Sequence, residues 1–128
     1  MLNKSGITKT TGVAPTQILA DVSLQMSVGC IVAQAVGATV GSQKIAKAGT
    51  PIVIDYGNLQ TAATAGTVGD SATANAVLLH DVDVTAGNAN GTALVFGFVN
   101  VNRMESDVQA KYTKCGPNVA GGVTAIKA

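Results

Sequence analysis

The feature that most restricts how this chain can fold is a pair of β-branched runs joined by small residues: AVLLHDVDV (76–84), TAGNANG (85–91) and TALVFGFVNVN (92–102). Valine, isoleucine and aromatic residues fit the pleated, half-buried surface of a strand, while glycine and asparagine supply turn conformations. The spacing predicts an antiparallel hairpin with a long connection. Gly97, inside the second run, predicts a bulge or a close backbone approach there. A hairpin of this length needs neighbours. Upstream, Ile18, Ala20, Val22 and Leu24 alternate with Leu19, Asp21, Ser23 and Gln25, which is the period of a half-buried strand.

Further short apolar runs follow at close spacing: CIVAQAV (30–36), KIAKAG (44–49) and PIVIDYG (51–57). Pro51 can open a strand but not occupy the middle of a central one. Residues 58–75, NLQTAATAGTVGDSATAN, read as a long loop or two poor edge strands, and could cover a subunit contact. Beyond the hairpin, Met104, Val108 and Tyr112 recur at i, i+4 and i+8, with Glu105 and Asp107 near the start and Gly116 and Pro117 after the end. That pattern predicts a helix of two or three turns. GGVTAIKA supplies a last strand. Many short strands separated by glycine turns predict a mainly β fold: a small compact β-barrel or β-sandwich with one short helix near the C-terminus.

At 128 residues the chain has the length of one domain. Residues 1–17, MLNKSGITKTTGVAPTQ, are polar and glycine-containing and read as a flexible N-terminal arm, leaving 18–128 as the β-rich domain. Apolar residues make up 47%, but the aromatics are only Tyr56, Phe96, Phe98 and Tyr112, so the core is expected to be thin and association to add burial. Charged residues are 12% and the net charge is +1, with the lysines scattered, which argues against nucleic acid and against an anionic membrane surface. The charge-free run from Val22 to Gln43 is interrupted by Gln25, Ser27, Gln34 and several glycines, so it reads as soluble strands and not as a span. No secretory leader is visible in MLNKSGITKTTG, and synthesis in a cytoplasm is expected. A disulfide between Cys30 and Cys115 is disfavoured: Cys30 sits in an apolar run and Cys115 in a KCGP turn.

The one histidine stands beside two carboxylates in LLHDVDVT. If the run is a continuous strand, Leu78, His80, Val82 and Val84 share one face, and Leu79, Asp81, Asp83 and Thr85 share the other. His80 then faces away from both aspartates, as a core or interface residue, and the aspartates are solvated or make ordinary polar contacts. No GxSxG elbow, GxGxxG or phosphate loop occurs. The expectation is a protein that is not an enzyme and has no catalytic residue, cofactor or metal site.

Taken together, DVSLQMSVGCIVAQAV, AKAGTPIVIDYG, AVLLHDVDV and ALVFGFVNVNRM resemble the phage head decoration proteins. That family includes the lambda-type capsid-stabilising proteins and the head fibre proteins of phages of Gram-positive bacteria. The likeness covers about residues 20–105; the tail from Met104 to Ala128 matches poorly. The resemblance implies a β-tulip-like domain that forms a homotrimer and sits on the outer capsid surface of the virion at threefold or quasi-threefold positions. There it would stabilise the expanded head against internal DNA pressure, with the major capsid protein as its partner. It also implies an arm that orders on the shell by adding a strand, for which Ile7, Thr8, Lys9, Thr10, Thr11, Gly12 and Val13 are the candidates. His80, Phe96 and Phe98 are the candidates for subunit packing or interface. Other readings are a head-fibre base or tail subunit, which the absence of shaft repeats opposes, and a small ligand- or glycan-binding β domain, which the scarcity of aromatics opposes.

Overall fold

The computed structural model describes residues 18–19, 25–69 and 71–128, and within them the chain is mainly β. In chain order the strands are β1 (Gln25–Val32), β2 (Ala38–Val40), β3 (Gln43–Ala46), β4 (Pro51–Val53), β5 (Ala62–Ala65), β6 (Ala76–Leu78), β7 (Val82–Asp83), β8 (Ala89–Asn100), β9 (Gly116–Ala120) and β10 (Gly122–Ile126). One α-helical turn, α1 (Ser106–Gln109), lies between β8 and β9, and 3-10 turns occupy Gln34–Val36 and Val101–Arg103.

The larger sheet runs β9-β10-β8-β1-β5-β4-β6, and β6 pairs back onto β8 through Val77↔Leu94 and Leu78↔Ala93. Strands β8, β1, β5, β4 and β6 therefore close into a five-stranded ring. A ring this narrow has room only for small side chains among its branched ones. Ala63, Ala76 and Ala93 point into it beside Val32, Ile52 and Leu78, and the small sheet β2-β3-β7 covers it with Ala46 and Val82. The alanine content that looked like a thin core in the sequence is what lets the ring close.

Alternate residues of the same strands face a second core. Val77 and Leu94 turn outward from the ring to meet Ile18, Leu19, Val99, Val101, Met104, Val108, Tyr112, Val123 and Ala125. Strand β6, and β8 at Ala93–Leu94, are thus buried on both faces. The β9–β10 hairpin is held on this side through Gly121, whose φ of +62° and whose closeness to the Asn75 carbonyl leave no space for a side chain. Tyr112 is the buried aromatic here, and its hydroxyl donates to the Gly49 carbonyl at 2.7 Å.

Several expectations change in detail. Met104, Val108 and Tyr112 are all buried, as their spacing predicts, but the helix is a single turn, and β-turn and 3-10 geometry carries the rest. CIVAQAV holds a strand only to Val32 before the chain turns at Gln34–Val36. Within 58–75 the described residues are loop except for Ala62–Ala65, which form β5 and do not lie at an edge: the strand is paired on both sides, with β1 in parallel and β4 antiparallel. The low β propensity of Ala-Ala-Thr-Ala yields to the closure of the ring.

Candidate interaction surface

The register of β8 against β1 places three of the five exposed large apolar side chains of the described residues together. Met26 pairs with Phe96 and Ser27 with Leu94, so Val95 has no partner in β1 and forms a bulge. One extra residue reverses the phase of everything beyond it. Leu94 and Val99 lie five residues apart, an odd step that would put them on opposite faces of a regular strand, yet both belong to the second core. By the same reversal Phe96 and Phe98 emerge on the face that carries Val28, Cys30 and Val32.

That face is the ring interior further along the sheet. Val28 and Val95 pack against the edge of the interior cluster. Past them no other described residues form a layer over β1, β8 and β10, and the apolar row continues as Met26 (62% exposed), Phe96 (48%) and Phe98 (36%). Across the strands Met26, Phe96 and Gly122 lie in one row, and Phe98 and Thr124 in the next. Gly122 has no side chain, and the Phe96 ring lies beside it: a Cβ there would stand 3.6 Å from Phe96 Cδ1. The result is an apron of methionine and two aromatics. Contiguous exposed apolar side chains make this the candidate interaction surface, whereas single ones such as Val40 and Tyr56 need no explanation.

The structure divides the residues that the sequence singled out. Ile7, Thr8, Lys9, Thr10, Thr11, Gly12 and Val13 lie outside the described residues. Phe96 and Phe98 stand side by side on the apron, and they are joined by Met26, which the sequence reading passed over. His80 is not with them. It is exposed in a bend, next to Leu79, whose N–H donates to the Thr92 carbonyl at 2.9 Å, four residues or about 13 Å along β8 from Phe96. None of the three packs a core.

The continuous strand assumed for LLHDVDVT is corrected as well. Strand β6 ends at Leu78 and β7 begins at Val82 in the other sheet, so simple alternation fails between them. Leu78 and Leu79 are both buried, one in each core, and His80 and Asp81 are both exposed. The physical reason is a bond to a distant part of the chain: Asp81 Oδ1 accepts from the Ala48 N–H at 2.7 Å and holds the chain at the point where it changes sheets. Thr85 holds the Asp83 carboxyl below the usual carboxylate range, first through its side chain and then through its N–H, which donates to Oδ1 at 2.9 Å. Both aspartates thus make ordinary polar contacts.

Other chemistry is sparse. No three His, Cys, Asp or Glu side chains among the described residues are grouped to hold a metal ion. Cys30 lies in the ring interior and Cys115 against the second core; both thiols are free, and burial pushes that of Cys30 up. A cavity of about 280 Å³ lies over Cys30, lined by Gly29, Ile31, Leu59, Gln60, Asn90 and Gly91, with no acid or base among them. A second, of about 240 Å³, lies between β2 and α1. At its mouth the Lys47 ammonium meets the Asp107 carboxylate at 3.0 Å and holds that carboxyl below its ordinary range. No helix among the described residues is long and apolar enough to cross a membrane.

Compared with known proteins, the chain matches no family model, no curated protein and no solved structure.

Proposed function

We propose that this protein is a non-enzymatic capsid decoration protein of a phage, a homotrimeric cement that binds the outer surface of the expanded head and stabilises it against internal DNA pressure. The observation that carries the proposal is the Met26–Phe96–Phe98 apron: a row of exposed apolar side chains on a closed ring of strands. Apolar side chains can meet a neighbouring copy or a coat subunit without like-charge repulsion, and their burial contributes roughly 25 cal/mol per Å². Ring closure pairs both edges of each of its strands over at least part of their length, which limits edge-to-edge aggregation and leaves the apron as the adhesive feature. Many copies making modest contacts of this kind hold a lattice through multivalency. The major capsid protein is the partner this reading requires, through the apron together with strand addition by Ile7–Val13.

The test is direct. Purified protein is incubated with expanded, undecorated heads and with unexpanded precursors, and bound protein is measured after sedimentation. Selective, saturable uptake by expanded heads is the expected result; uptake by neither sinks the proposal. The double variant Phe96→Ser/Phe98→Ser should fold normally and lose uptake, and light scattering of the same samples reports the trimer.

A further inference from the structure

Two cavities meet at Lys111, just past α1. The one of about 240 Å³ between β2 and α1 has apolar walls from Val36, Ile45 and Val108, with the Lys47–Asp107 pair and Lys111 beside them. The other, of about 360 Å³, is lined by Gly66, Thr67, Val68, Thr113 and again Lys111. Ala65, the last residue of β5, lines the first cavity, and Gly66 after it lines the second, so the two adjoin on this side as well.

The polar groups around this groove are unequally satisfied. Lys47 Nζ donates to both Asp107 oxygens, at 3.1 and 3.0 Å, so that pair is internally neutral. The Lys111 backbone N–H donates to the Val108 carbonyl at 3.0 Å, which fixes the base of the side chain, but its ammonium makes no ion pair or hydrogen bond among the described residues. The Thr67 hydroxyl is engaged with that of Thr73 at 3.1 Å, whereas the Thr113 hydroxyl has no hydrogen bond among the described residues. One uncompensated cation and one unused hydroxyl therefore line the same cavity, beside apolar walls. A carboxylate can accept from both, and charge-assisted bonds are about twice as strong as neutral ones. Sites for drug-sized ligands span about 300–1,000 Å³. These cavities lie at or below the lower end of that range, so each takes a side chain and not a cofactor.

We propose that the two cavities form a docking groove for a short acidic and aliphatic segment of a partner protein. Its carboxylate is received by Lys111 and Thr113, and its aliphatic side chains pack against Val36, Ile45 and Val108 on one side and Val68 on the other. Charge complementarity selects this occupant. A purely apolar segment would desolvate the Lys111 ammonium without pairing it. A nucleic acid carries a charge at every phosphate and would find one free cation here, next to the Asp107 carboxylate. Asp107 acts as an internal competitor, because it occupies Lys47 and keeps a second cation from the incoming carboxylate. The groove shares no residue with the Met26–Phe96–Phe98 apron and stands independently of the decoration reading.

The experiment titrates the full chain, labelled with 15N, and follows backbone amides by NMR. The probes are a blocked pentapeptide with glutamate between two valines and alanine at each end, the same peptide with glutamine in place of glutamate, and butyrate. The glutamate peptide should give saturable shifts at Lys111, Thr113, Val108 and Val68. The glutamine peptide, and the glutamate peptide with Lys111→Met, should each bind at least about tenfold more weakly. Asp107→Asn should bind the glutamate peptide several-fold more tightly, an outcome that a role for Asp107 in fold stability alone does not produce. Equal binding of the two peptides, no effect of Lys111→Met, or weaker binding by Asp107→Asn overturns the proposal. Butyrate binding as tightly as the glutamate peptide also overturns it, since the site would then take a free small carboxylate and not a protein segment. If Lys111→Met fails to fold, the glutamine peptide and Asp107→Asn decide the matter.

Discussion

The carboxylate of Asp81 accepts a hydrogen bond from the backbone N–H of Ala48, at 2.7 Å and 33 positions away in the sequence. That bond fixes the crossing from the ring to the small sheet. Asp81→Ala leaves the Ala48 N–H without its partner, and the expected loss is about 1–2 kcal/mol. Asp81→Asn keeps an acceptor and should lose less than half of that. Urea unfolding at neutral pH measures both, and an Ala variant as stable as wild type would show that the crossing is held by something else.

Tyr112 gives a pH dependence. Burial raises its phenol well above the ordinary tyrosine value. The folded state therefore disfavours the phenolate. The stability tied to the neutral phenol is complete below the unfolded pKa of about 10 and declines as pH rises above it. Wild type should lose stability above about pH 10, and Tyr112→Phe should lose less over that range. At neutral pH Tyr112→Phe should cost about 1–2 kcal/mol, because the Gly49 carbonyl loses its donor. Thermal melts from pH 7 to 11 check the sign of both effects.

The bulge at Val95 can be tested from both strands. Deleting Val95 brings Leu94 and Phe96 together opposite Ser27 and Met26 in an unbroken ladder, so both keep their faces. The deletion should cost no more than about 1–3 kcal/mol, the loss of the Val95 side chain from beside the ring interior. Inserting one alanine between Met26 and Ser27 instead gives Val95 a partner and puts Phe96 on the face of Leu94, where the core is filled, and should cost more than about 3 kcal/mol. Equal urea midpoints for the deletion and the insertion would contradict the phase argument.

The Lys47–Asp107 pair predicts a small acid effect. Lys47 lowers the Asp107 pKa, so the contribution is present above the ordinary carboxylate pKa of about 4 and is lost as pH falls through the lower folded value. Asp107 is 48% exposed, and screening limits the pair to about 0.2–1 kcal/mol. Asp107→Asn should remove that amount at pH 7 and nothing at pH 2, and 1 M salt should shrink the difference.

The sequence by itself determined the β class, the antiparallel pairing of the run around Leu78 with the run around Ala93, and the burial of Met104, Val108 and Tyr112. These follow from local periodicity and turn chemistry, which a linear reading captures. It also marked Phe96 and Phe98, because large aromatics are few in this chain. Tertiary structure alone decided which way they point. A period-two argument holds only while a strand is unbroken, and here it fails twice: at Val95, where the partner strand is one residue short, and at His80–Asp81, where the chain leaves one sheet for another. Neither event has a local signature, since register depends on the residue opposite. Gly97 drew attention to the right strand but sits two residues from the bulge. Met26 was unmarked because only the ladder places it beside Phe96. Ring closure likewise turned Ala62–Ala65, a poor strand by propensity, into a paired one: cross-strand hydrogen bonds and a narrow interior outweigh intrinsic preference.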